Sequence, residues 1–181
     1  MRLVVPALAL SFLAFHTATD AGLLINAFQT PPPPVLPPSL TRMAPPVFTV
    51  DEMCRAAGLK HGLPPPFIKG VIAAESAFEP TAVSPKGALG LMQLMPETAR
   101  EMGALDPMDP AQNIDAGATY LKQLMSRYGT SEASLQRVLA AYNAGPGNVA
   151  KYHGIPPFKE TRSYVKRVLG FYRYFKIKRL F

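Results

Sequence analysis

Eight prolines fall between Pro31 and Pro46, at positions 31–34, 37, 38, 45 and 46. A run so dense removes backbone donors and locks φ near the polyproline II value, so it builds neither a helix nor a strand ladder. The run divides the chain. What precedes it is too short for a domain, whereas residues 47–181 are long enough to enclose one hydrophobic core. Hydrophobic residues make up 48% and charged residues 17%, a balance that suits a packed domain rather than a disordered chain.

Ahead of the prolines, Arg2 is followed by thirteen residues, Leu3 to Phe15, that are apolar apart from Ser11 and broken once more by Pro6. A spanning helix needs about 20 such residues. A single positive charge, a short apolar stretch and the small or polar residues Thr17 to Gly22 match a secretory signal peptide over 1–21, with 22–46 as linker. Export to a periplasm or cell envelope is the expectation, with no stable membrane span. One cysteine, Cys54, and three histidines exclude an intrachain disulfide framework and a Cys/His zinc site. A formal charge of +7 favours an anionic partner without naming it.

From residue 47 onward apolar residues recur at spacings of three and four between turn signals, which predicts helices. Thr49 and Glu52 form a capping box for the first, which Gly58 and Gly62 close, with Cys54 on its apolar stripe and His61 as a surface cap. Pro64 to Pro66 open the second, with Phe67, Ile68, Val71 and Ile72 inward. Pro96 begins a short third helix, Asp109-Pro110 a longer fourth and Ser131 a fifth, which stops at Gly145-Pro146-Gly147. A last helix starts near Lys159. No segment alternates like a long strand, so the domain is predicted to be all-α, with room for a small hairpin in the 79–95 loop.

Glu75 is the anomaly in this pattern. It interrupts the end of an apolar helix face, where desolvation disfavours its charged form and keeps a carboxyl protonated near neutral pH. Glycoside hydrolysis is the reaction that most often needs such an acid. Three further clusters accompany it: Ser84 with the loop Gly87 to Met95, the turn Ala140-Ala141-Tyr142-Asn143-Ala144-Gly145, and Glu160-Thr161 with Tyr164-Val165. Each alone reads as packing, helix stop or core. The other nearby acids, Glu79, Glu97 and Glu101, fall in loop or exposed-helix settings.

Taken in this order and at these intervals, Glu75-Ser76, Gly90-Leu91-Met92-Gln93, the Ala-Tyr-Asn-Ala-Gly turn and Glu160-Thr161 with Tyr164-Val165 resemble the catalytic domain of the soluble lytic transglycosylases. That family is related in fold to goose-type lysozyme. The resemblance covers roughly Val50 to Tyr174 and implies a lysozyme-like helical domain. It implies cleavage of the β-1,4 bond between N-acetylmuramic acid and N-acetylglucosamine in peptidoglycan, without metal or cofactor. Under it Glu75 takes the position of the single acid/base. Ser84, Gln93 and Met95 line the muramic-acid side of the cleft, and Tyr142, Asn143 and Tyr164 surround the reacting sugar. Ser76 is a structural residue beside the acid, Gly90 and Gly145 are backbone requirements, and Glu160 holds its corner together. The implied partners are glycan strands and, as a further candidate, a wall-spanning secretion or division complex.

With one buried acid, the substrate must supply the nucleophile. The 2-acetamido carbonyl of muramic acid serves in substrate-assisted glycosidases, and the C6 hydroxyl then closes a 1,6-anhydro ring. Asn143 or Tyr164 is placed to orient the acetamido group. Two alternatives stay open: a goose-type-like muramidase, which is a hydrolase, and a non-catalytic wall-binding component of a secretion apparatus. The basic stretch from Phe158 to Phe181 carries no nucleic-acid motif, so no nucleic-acid partner is expected.

Overall fold

The computed structural model describes residues 48–178. The expected signal peptide and the proline linker lie outside them. Helix α1 (Val50–His61) starts at the predicted capping box: the Glu52 N–H donates to the Thr49 hydroxyl at 3.3 Å, and the Thr49 N–H to the Glu52 carboxylate at 2.7 Å. Gly62, at φ +67, ends the helix. Gly58 does not close it. It lies inside α1, where a Cβ would stand 2.8 Å from the Leu63 carbonyl and 2.9 Å from Pro65 Cγ, so its small size admits the following turn. His61 is not a surface cap either. Its ring is mostly buried and meets Asp115 at 2.8 Å, while Lys60 reaches the other carboxylate oxygen at 2.7 Å.

Helix α2 (Pro65–Glu75) buries Phe67, Ile68, Val71 and Ile72 completely. Its partner is the long last helix, α7 (Lys159–Lys178). Phe67 meets Tyr172 edge to face at 5.3 Å, and a Cβ on Gly70 would stand 3.0 Å from the Tyr172 amide nitrogen and 3.2 Å from the Val168 carbonyl. Gly70 therefore lets the two backbones approach closely, and the antiparallel run brings the end of α2 beside Tyr164 and Arg167 on α7.

Between them lie α3 (Pro96–Glu101), α4 (Pro110–Tyr128), α5 (Glu132–Ala144) and α6 (Pro146–Lys151). Asp109 and Ser131 cap α4 and α5 through their side chains, as the sequence pattern predicts. Helix α6 is absent from that pattern, which treats Gly145-Pro146-Gly147 as a stop. Gly145, at φ +84, turns the chain, and Pro146 then occupies the first position of a new short helix, where its missing N–H costs nothing. The 79–95 loop forms two isolated antiparallel bridges, Val83 with Leu89 and Leu89 with Leu94, and the described residues contain no strand. The fold is all-α. Its core gathers Phe67, Ile72, Leu91, Met92, Ile114, Leu121, Leu139 and Val168 from α2, the loop, α4, α5 and α7.

Candidate active site

Glu75 is the final residue of α2, half-buried, and the chain turns sharply after it. Ala77 and Phe78 adopt φ of +50 and +70, left-handed values that forbid a further helical turn. The Ser76 hydroxyl donates to the Ile72 carbonyl at 3.3 Å and to the Leu91 carbonyl at 2.9 Å, stitching the helix end to the loop. The acid thus stands on a rigid element whose end is fixed from both sides.

Burial pushes the Glu75 carboxyl up to about 7. The Tyr164 hydroxyl and the Arg167 guanidinium oppose that rise, and the charge of Glu160 adds to it. Near neutral pH the group is consequently present in both forms, the condition for giving a proton and taking one back. Tyr164 is buried, and its hydroxyl favours the ionised carboxyl without reaching full hydrogen-bond geometry to any of the described residues. Tyr142 donates to the Met92 carbonyl at 2.9 Å and packs on Tyr120 at 5.3 Å. Burial, and then the nearby Glu75 charge, hold both Tyr142 and Tyr164 well above the ordinary phenol range, so both remain neutral donors.

The loop residues divide between structure and surface. Ser84 accepts from the Ala88 N–H at 2.9 Å. Gln93, at φ +48, donates its amide to the carbonyls of Ala82 at 3.0 Å and Gly90 at 2.8 Å. Gln93 Oε1 and the Ser84 hydroxyl hydrogen are left without a partner among the described residues. Met95 is exposed, just before α3. Asn143 accepts from the Thr161 hydroxyl at 2.8 Å, which ties the end of α5 to the start of α7 and leaves the Asn143 amide hydrogens free. Glu160 does not hold this corner. It is exposed, and its ion pair with Lys86 is long, at 4.0 Å, a geometry that contributes little; Thr161, one residue on, makes the tie. Glu79, Glu97 and Glu101 are exposed, and the two other half-buried carboxylates among the described residues are engaged elsewhere, Asp109 in capping α4 and Asp115 with Lys60 and His61.

Residues 52–165 match the family model described as the transglycosylase SLT domain. The chain belongs to the transglycosylase SLT domain family. It is 37% identical over 118 residues to a transglycosylase of Enterobacteria phage PRD1, covering 65% of this chain and 41% of that one. It is also 37% identical over 139 residues to the soluble lytic murein transglycosylase of Escherichia coli K12, covering 62% and 21%. Among solved structures, the 70 kDa soluble lytic transglycosylase of Escherichia coli superposes with a TM-score of 0.61 at 34% identity, over 70% of this chain and 24% of that one. An inactive mutant of the lytic transglycosylase Slt from Pseudomonas aeruginosa gives 0.60 at 34%, over 66% and 22%. The chain therefore spans well under half the length of these relatives.

The SLT domain has supports that pattern reading misses. Asn113, on α4, is fully buried: its carbonyl oxygen accepts from the Met92 N–H at 2.7 Å, and its amide donates to the carbonyls of Leu89 at 3.0 Å and Pro107 at 2.8 Å. Gly90 must be glycine for two reasons. Its φ is +74, and a Cβ would fall 2.5 Å from Asn113 Nδ2 and 2.8 Å from the Pro107 carbonyl. Gly117, in mid-helix, leaves the space that the Met92 side chain fills. One asparagine and two glycines thus clamp the loop of the SLT domain onto α4. The only available sequence sign was a polar side chain next to Ile114, on a helix that is otherwise apolar on that side.

Proposed function

We propose that this chain is a peptidoglycan lytic transglycosylase, cleaving the β-1,4 bond between N-acetylmuramic acid and N-acetylglucosamine and leaving 1,6-anhydromuramic acid ends. The observation that carries the reading is Glu75: one half-buried carboxyl pushed up to about 7 and flanked by two neutral phenols, the other half-buried carboxylates among the described residues, Asp109 and Asp115, being engaged in a helix cap and an ion pair. Membership of the SLT family supports the same chemistry.

Protonated Glu75 gives its proton to the glycosidic oxygen as the C1–O bond breaks. The acetamido carbonyl of muramic acid stabilises C1, and the Asn143 amide or the Tyr164 hydroxyl orients it. Glu75, now a carboxylate, takes the C6 hydroxyl proton while O6 bonds to C1 and displaces the acetamido oxygen. An intramolecular nucleophile is worth an effective concentration on the order of 10⁵ M or more when aligned, so the protein need not position a water. Ser84, Gln93 Oε1 and Met95 line the muramic-acid side, and Tyr142 stands beside the reacting sugar. The substrate class requires export. The test is mass analysis of muropeptides released from purified wall by the full chain. Anhydro products, one water lighter than lysozyme products, are expected. Incorporation of ¹⁸O from labelled water at the muramic C1 overturns the reading in favour of a hydrolase, and absence of any release in favour of a binding component.

A further inference from the structure

The last turns of α7 leave large apolar side chains in solvent: Phe171, Tyr174 and Ile177 are 37%, 50% and 59% exposed. They surround Phe175, which stacks on Phe171 at 6.3 Å and meets Tyr174 at 5.3 Å and Phe78 at 6.1 Å edge to face. A concavity of about 690 Å³ opens between this cluster and the end of α2, walled by Ala73, Ala77, Gly170 and the rings, with Lys166 and Arg167 on its rim. A second, of about 430 Å³, lies on the other flank between Pro65, Lys69, Tyr174 and Lys178.

Unpaired cations gather around these rings. Lys166, Arg167 and Lys178 are exposed and make no ion pair among the described residues. The nearby acids are already engaged, Asp51 with Lys69 and Glu132 with Arg173. Exposed rings beside unpaired cations form the chemistry of a membrane–water interface: rings settle at headgroup depth and cations on lipid phosphates. No described helix is long and apolar enough to cross a bilayer.

We propose that this end of α7 docks the protein on an anionic phospholipid surface, with Phe171, Tyr174 and Ile177 at headgroup depth and Lys166, Arg167 and Lys178 against phosphates. The larger concavity offers alanines, a glycine and aromatic faces, which suit acyl chains. The inference stands on surface chemistry and does not depend on what Glu75 does.

The chain contains no tryptophan, so Phe171→Trp installs a single reporter in the full chain. With vesicles of phosphatidylcholine mixed with phosphatidylglycerol, its emission is expected to shift to the blue and to be quenched by bromine-labelled lipid. Phosphatidylcholine alone or high salt is expected to remove both effects. Leu105→Trp, on a 95% exposed residue away from α7, is expected to stay unshifted. The triple variant Phe171→Ser, Tyr174→Ser, Ile177→Ser, with unchanged circular dichroism, is expected to lose roughly tenfold or more in vesicle affinity. Three results overturn the proposal. The first is vesicle binding with Phe171→Trp unshifted, which assigns binding to another segment. The second is no binding to anionic vesicles. The third is a triple variant that keeps vesicle binding and loses binding to purified wall, which makes the patch a wall site.

Discussion

Glu75→Gln removes a proton donor and also a charge that the fold bears at a cost. The carboxyl titrates at about 7 in the folded chain against an ordinary 4.5. That gap, roughly two and a half pH units at about 1.4 kcal/mol each, comes to about 3 kcal/mol. The sign follows from which state holds the proton more tightly. The folded state does, so wild type has its full stability below 4.5, loses it as pH rises through 7, and carries the whole cost above that. Glutamine does not titrate. The variant and wild type should therefore unfold at similar urea concentrations near pH 4, whereas at pH 8 the variant should be more stable by up to about 3 kcal/mol. Every other titrating group cancels in the comparison. Lytic activity should fall by several orders of magnitude at all pH values, and wild-type activity should decline on the alkaline side of about 7. A stability difference independent of pH, or one favouring wild type at pH 8, refutes the reasoning from burial.

Three other substitutions test the supports of the site. Gly90→Ala, which combines a φ of +74 with a Cβ 2.5 Å from Asn113 Nδ2, should cost about 3 kcal/mol in urea unfolding. Asn113→Ala strands the Met92 N–H and the Pro107 carbonyl and leaves the Leu89 carbonyl only its bond from the Leu94 N–H, and should cost about 3 kcal/mol with a corresponding fall in Tm by calorimetry. Tyr164→Phe deletes a buried hydroxyl that has no full hydrogen bond, so stability should change by less than about 1 kcal/mol. Because that hydroxyl favours the ionised carboxyl, its loss should move the alkaline limb of the pH–activity profile upward.

The helices were legible because their ends carry local chemistry: Thr49 with Glu52, Asp109-Pro110 and Ser131 mark boundaries that the structure reproduces. Glu75 was legible because a carboxylate on an apolar face is a local contradiction, and burial resolves it by raising its pKa. The clamp around Gly90 was not, since Asn113 works through partners 6 to 24 positions away that no period reveals. Helix α6 was hidden for the opposite reason: the residues that stop α5, Gly145 and Pro146, also start its successor. His61 reads as exposed until Asp115, 54 positions later, comes to meet it.

The close approach at Gly70 has a consequence for how this domain tolerates change. The acid's location is set by two rods in contact, α2 and α7, and Gly70 acts as the notch that registers one against the other. The connection from Tyr152 to Phe158 returns the chain to the start of α7 with Ile155 and Pro156 set into the core, and Tyr152 and His153 at its exposed tip. Residues inserted there lengthen the return path without moving the rods, so the alignment of Glu75 with Tyr164 should survive them. A methyl group at position 70 would spread the rods and shift the acid without touching the site. For anyone transplanting this carboxyl into a designed protein, the part to copy is the notched helix pair together with the loop segment that Ser76 grips at Leu91.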